Sequence, residues 1–190
     1  MSEAASALDG VTASGTIEVV ESGLQGMITL RGDLSDESLT AALAKAAGVE
    51  IPAPRQVTSS DAGQMLWMSP DELMLLCPHD EAEVRVAAIS AALAGQHHMA
   101  VNVSDARAYF RLTGEGAAIR EVLAKISPAD MRDASLPVGE ARRTRLAQVA
   151  GAFWFSADGE AHLICFRSVA QYVFDLLKIS SVSGSDVGHF

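Results

Sequence analysis

Apolar and polar positions along the chain switch between a period of two and a period near 3.6, and they do so twice in the same order. Ile28-Thr29-Leu30-Arg31-Gly32-Asp33 reads as a strand passing through a glycine turn into a helical pattern. Phe110-Arg111-Leu112-Thr113-Gly114-Glu115 does the same, its glycine 82 positions after Gly32. Trp67-Met68-Ser69-Pro70-Asp71-Glu72-Leu73-Met74-Leu75-Leu76-Cys77 is answered 88 positions later by Phe155-Ser156-Ala157-Asp158-Gly159-Glu160-Ala161-His162-Leu163-Ile164-Cys165. The order strand, glycine turn, helix, hairpin, helix therefore occurs twice. Units with one apolar face must bury it. The expected fold is thus α+β, with duplicated strand-helix-hairpin-helix units and mostly antiparallel sheets carrying packed helices. A single folded domain is expected over residues 16–179, built from halves at about 16–96 and 97–179.

The elements follow from local chemistry. Ile17–Val20 and Gly26–Leu30 read as short strands. Ser35 is placed to cap a helix whose apolar positions are Leu39, Ala42, Leu43 and Ala46, and Gly48 ends it. Thr58–Gly63 reads as a polar loop, and Gln64–Met68 with Leu73–Cys77 as a hairpin around Ser69-Pro70-Asp71-Glu72. Asp80 with Glu83, and Ser168 with Gln171, have the three-residue spacing of a capping box before helical stripes at Val86, Ile89, Leu93 and at Tyr172, Val173, Leu176, Leu177. Between them lie strands at Ala100–Val103 and Arg107–Leu112, a helix with Ala118, Ile119, Val122, Leu123 and Ile126 on one face, and a strand at Arg142–Val149. Residues 1–15 and 180–190 lack periodicity and are expected to be a disordered N-terminus and a flexible tail.

Composition narrows the function. Fourteen basic against 24 acidic residues give a net charge of −10, which opposes binding to nucleic acid or anionic lipid. No apolar run approaches the length of a membrane span, and the start has no basic and apolar leader pattern, so a cytoplasmic protein is expected. Cys77 and Cys165 fall at matching strand ends and read as core thiols.

Candidate chemistry is sparse. His97 and His98 would point to opposite faces of a strand, which disfavours a shared metal. Gly114-Glu115-Gly116 opens a helix after a strand, but Glu115 puts negative charge where a phosphate would sit, so a tight turn is favoured. No Ser/His/Asp, Cys/His or paired-carboxylate motif is visible. Arg142, Arg143 and Arg145 form the one basic cluster. In a strand Arg143 and Arg145 share one face, a candidate docking patch for an acidic partner.

Several segments together resemble a known family. They are Trp67 to Leu75, Val101 to Arg107, Leu112-Thr113-Gly114 with its helix to Leu123, Leu136 to Ala147, and Phe166 to Val173. In order and spacing they are similar to the gamma subunit of heterotetrameric sarcosine oxidase, over roughly residues 25–178. That resemblance implies a fold like the folate-binding domain of the glycine-cleavage T-protein, an aminomethyltransferase. It also implies an accessory subunit of a complex with alpha, beta and delta chains. Such a complex demethylates sarcosine oxidatively to glycine, with hydrogen peroxide and either formaldehyde or methylene-tetrahydrofolate as products. FAD, FMN, NAD and tetrahydrofolate are expected in the partner chains, with zinc in delta and no cofactor, metal or catalytic residue in this chain. The resemblance makes Arg107, Thr144 and Arg167 candidate partner contacts beside Arg143 and Arg145, and reads Ser168 as a helix cap. An exposed apolar patch is expected of such a subunit. The alternative is a free-standing folate-binding or aminomethyltransferase-like module.

Overall fold

The computed structural model describes residues 4–190. Its strands are β1 (Thr12–Ser14), β2 (Glu18–Glu21), β3 (Gly26–Gly32), β4 (Val57–Ser60), β5 (Gly63–Ser69), β6 (Glu72–Cys77), β7 (His98–Asn102), β8 (Arg107–Thr113), β9 (Ala141–Leu146), β10 (Val149–Ala157) and β11 (Glu160–Phe166). The helices are α1 (Glu37–Ala47), α2 (Ala82–Ala92), α3 (Gly116–Ile126) and α4 (Ala170–Ser180). The α+β architecture of duplicated units and antiparallel sheets is present, divided into two compact units.

One unit is Gln25–Asp105, with a five-stranded sheet in the order β4-β5-β6-β3-β7. Leu39 and Leu43 of α1 and Ile89 of α2 pack with Ile28, Leu30 and Leu73 in one apolar cluster. Helix α1 is capped by Asp36, whose carboxylate accepts the N–H groups of Ser38 and Leu39, not by Ser35. At its other end Gly48 takes the left-handed conformation (φ 70°), which a side chain disfavours. The polar stretch expected as a loop holds most of β4, an edge strand, and the first residue of β5.

The other unit joins the chain up to Leu24 to Ala106–Phe190, with a six-stranded sheet in the order β1-β2-β8-β11-β10-β9. Its core sets Ile119, Val122 and Leu123 of α3 and Val173 and Leu177 of α4 against Phe110 and other strand residues. Apart from β1 the two sheets have matching orders, β7-β3-β6-β5-β4 and β2-β8-β11-β10-β9. The strand preceding each copy is therefore exchanged. β2 runs before β3 in sequence but pairs with β8, and β7 runs before β8 but pairs with β3. The units accordingly divide at residues 24/25 and 105/106, and not where linear repeat matching divides the halves.

Local expectations fail at identifiable places. Residues 1–3 of the N-terminal stretch lie outside the described residues, but Thr12–Ser14 forms β1 against β2. The C-terminal stretch is held on α3: the Glu121 carboxylate accepts the N–H groups of Val187 and Gly188, and Lys125 Nζ donates to Ser180 O and Ser185 Oγ, both at 3.0 Å. Neither expected capping box forms. Both helices start from 3-10 turns, at His79–Glu81 and Arg167–Val169, with no side-chain cap. The expected strand 142–149 is the end of β9 and the start of β10, joined through Ala147 at φ 50°.

Candidate functional site

Strands β8, β11 and β10 lie side by side, and directly opposed residues share a face. Phe110, Leu163 and Phe153 are opposed across the three strands and enter the helix-covered core. Residues one step along point the other way, which places Tyr109, His162, Trp154 and Ser156 on the second face. The β10 ladder shifts register between Phe155 and Ala157, a bulge that leaves Ser156 beside His162.

Tyr109, His162 and Ser156 form a hydrogen-bonded array with Glu160. Tyr109 Oη is 2.7 Å from His162 Nδ1, His162 Nε2 is 2.9 Å from Ser156 Oγ, and Glu160 Oε1 is 3.0 Å from both Nε2 and Ser156 Oγ. The Tyr109 ring stacks on the imidazole at 5.6 Å and 5°, and Trp154 covers it at 5.2 Å. Trp154 and His162 are buried, while Ser156 is exposed, so the array runs from the interior to solvent. Burial holds the Tyr109 hydroxyl well above the usual phenol range, keeping it a proton donor. Burial also lowers the His162 pKa, against the opposing pull of Glu160.

The geometry selects one tautomer. The Glu160 carboxylate, 3.0 Å from Nε2, can only accept, so a neutral ring carries its proton on Nε2, facing Ser156 and Glu160, and Nδ1 accepts from Tyr109 Oη. The reverse tautomer would point the Nε2 lone pair at the Glu160 carboxylate. The serine hydroxyl is left to donate to Glu160. An imidazole that carries its proton toward the serine cannot accept the serine proton, so this Ser-His pair differs from a nucleophile and its general base. The array fixes the hairpin and holds one proton at Nε2.

The five arginine and threonine positions expected as partner contacts all lie in this same unit, but their surroundings and exposure differ. Arg167 Nη2 donates to Ala5 O and Ser6 O, each at 2.9 Å, so it clamps the N-terminal segment. The Arg107 guanidinium lies 4.0 Å over the exposed Phe166 ring. Arg143 and Arg145 are exposed on β9, Thr144 between them is half-buried on the other face, and Arg145 Nη2 reaches Gln148 Oε1 at 3.0 Å. Arg142, the third member of the basic cluster, bonds Glu140 and the Ser135 carbonyl. The structure thus brings Arg143 and Arg145 together and separates them from Arg107 and Arg167.

Elsewhere the sites weighed in the sequence resolve into local structure. A Cβ on Gly116 would lie 2.4 Å from Asp158 Oδ1, so that carboxylate crowds the start of α3 where a phosphate would sit. His98 Nδ1 bonds Gln96 O at 3.0 Å. It lines with His97, Arg31 and Asp71 an open cleft of about 450 Å³, where Arg31 is already paired with Asp71 and Glu72. Among the described residues no cluster of three or more His, Cys, Asp or Glu is arranged to hold a metal. The array at His162 went unseen because its members are scattered from Tyr109 to His162. The available signal was the repeat itself, which matches His162 to the buried Met74.

Comparison with known proteins gives a consistent picture. A family model described as the sarcosine oxidase gamma subunit family matches residues 31–183. Sarcosine oxidase subunit gamma of Corynebacterium sp. (strain U-96) is 32% identical over 151 residues, covering 77% of this chain and 72% of that protein. Among solved structures, heterotetrameric sarcosine oxidase from Corynebacterium sp. U-96, in complex with pyrrole 2-carboxylate, contains a chain with TM-score 0.79 and 25% identity. That match covers 90% of this chain and 87% of the other. Aminomethyltransferase T of the glycine cleavage system from Bartonella henselae shares the fold, at TM-score 0.56 and 18% identity over 80% of this chain and 43% of its own.

Proposed function

The chain belongs to the sarcosine oxidase gamma subunit family, and from that membership we propose that it serves its heterotetrameric oxidase as a non-catalytic assembly subunit. The observation that carries this reading is the joint match of family, relative and solved heterotetramer over most of the chain. In this reading the partners are the alpha, beta and delta chains. FAD, FMN, NAD and tetrahydrofolate reside in those partners, and the complex oxidises sarcosine to glycine with hydrogen peroxide and formaldehyde or methylene-tetrahydrofolate. The complex works in the cytoplasm, in keeping with a chain in which, among the described residues, no helix is long and apolar enough to cross a membrane.

Two features support an assembly role. The Ser-His-Glu grouping at His162 has its imidazole proton on Nε2, toward the serine and the carboxylate, which suits holding a hairpin and not activating a nucleophile. The surface carries exposed apolar side chains, including Val84 on α2 and Met99 and Val101 on the edge strand β7. The test is co-expression of this chain with the other three chains of its oxidase, one of them tagged. Stoichiometric recovery of this chain in a flavin-coloured, sarcosine-oxidising complex supports the reading, together with loss of complex yield when the chain is omitted. A complex that assembles and turns over equally well without it overturns the reading.

A further inference from the structure

Strand β9 ends its sheet, with β10 as its one strand neighbour. Arg143 and Arg145 lie opposite Ala152 and Ala150, on the face turned away from the helices, and both are exposed. Two exposed guanidinium groups on one strand edge stand out in a chain of net charge −10. The scaffold does not demand them. The matching edge strand of the other unit, β4, reads Val57-Thr58-Ser59-Ser60 and carries no charge. At the end of β9, Arg145 and Lys125 line a hollow of about 370 Å³ whose other walls include Ile126, Pro128 and Ala147. The edge therefore carries two exposed guanidinium groups along the strand and, at its end, an apolar recess between Arg145 and Lys125, whose ammonium is held by Ser180, Ser185 and Glu121.

Charged residues on an edge strand commonly serve to block pairing with further strands. Here the sign matters, because like-charged edges repel one another, whereas a basic edge attracts an acidic chain. Resting on the assembly role above, we propose that β9 is a docking edge for an acidic segment of another subunit of the oxidase. Its carboxylates pair with Arg143 and Arg145, and a small apolar side chain enters the hollow beside Lys125. Arg fits this role, since its planar fork pairs with carboxylates in two parallel hydrogen bonds.

The test compares Arg143→Glu/Arg145→Glu with a control of equal charge change on exposed residues of the same unit, Arg132→Glu/Lys178→Glu. Each is co-expressed with the partner chains, and melting temperatures of the isolated chains verify folding. Retention in the complex is then measured across a salt series. The expected result is at least about tenfold weaker assembly of the β9 variant at low salt with a flatter salt dependence, and near wild-type behaviour of the control. If the wild type assembles and the β9 variant follows it at every salt concentration, the inference fails and the assembly role stands. If the wild type does not assemble, the assembly role fails and takes the inference with it. A wild-type chain that self-associates through this edge, and loses that property in the variant, would assign β9 to a second copy and also overturn the proposal.

Discussion

Where β5 and β6 carry Leu66, Met68 and Met74, the matching positions of β10 and β11 hold Trp154, Ser156 and His162, and Met27 of β3 is answered by Tyr109 of β8. The backbone agrees in detail. Leu66 is opposed to Met74 as Trp154 is to His162, and both hairpins shift register at the following position, near Met68 and Ser156. Both also begin their second strand with a glutamate, Glu72 or Glu160. In one unit these positions are filled by flexible apolar side chains, which pack without hydrogen-bonding demands. In the other Tyr109, His162 and Ser156 bond to one another and to Glu160, while the buried Trp154 packs over the imidazole with its Nε1 unpartnered. The comparison teaches that the duplicated scaffold folds with either filling, so the array is an addition made in one copy and kept affordable by its internal bonds.

The largest effect should come from forcing the polar filling into the apolar copy. Met74→His places an imidazole opposite Thr29 with none of the tyrosine, serine or tryptophan partners. It should cost about 2–4 kcal/mol of unfolding free energy in urea titration, the price of an unsatisfied buried ring. A neutral result would show that this face tolerates polarity generally. Next, Tyr109→Phe removes the donor to His162 Nδ1 while keeping the ring, and should lower stability by about 1–3 kcal/mol. Pairing it with His162→Met should recover part of that loss, because no orphaned ring nitrogen remains.

A smaller signature lies in pH. Burial depresses the His162 pKa, so below about pH 6.5 the unfolded imidazole binds a proton that the folded one resists. Stability should fall as pH drops through that value, by at most about 1.4 kcal/mol per pH unit from this group. Urea midpoints from pH 8 to 5 should show a flatter decline in His162→Gln than in the wild type. Smallest of all, Ser156→Met imports the residue found at Met68. Because Ser156 is exposed, the change should stay within about 0.5 kcal/mol by the same titration.

Much of the scaffold was legible because the repeat preserves strand-turn-helix order and because glycines such as Gly48 mark left-handed caps. The misses share physical causes. β4 and β1 are short edge strands rich in Thr, Ser and Ala, and half-exposed edges need little apolar alternation. The β9–β10 turn escaped notice because Ala147, not glycine, takes the left-handed position. The two capping boxes misled because the chain leaves β6 and β11 directly into 3-10 turns whose N–H groups bond backward, as Glu81 does to Pro78 O. At the candidate contacts, the alternation of Arg143 and Arg145 correctly placed them on one face. The occupation of Arg167 by the N-terminal segment was invisible, because its partners lie more than 160 positions away.

The strand exchange also has a consequence for synthesis on the ribosome. The unit Gln25–Asp105 is contiguous, so its five strands are all available once residue 105 has emerged. β1 and β2 emerge before it and can pair with each other, yet the other neighbour of β2, β8, comes more than 85 residues later. Throughout that interval the β1–β2 ribbon waits without the rest of its sheet. Its open edge strand β2, at four residues with a glutamate at each end, offers a nascent neighbour little to aggregate with.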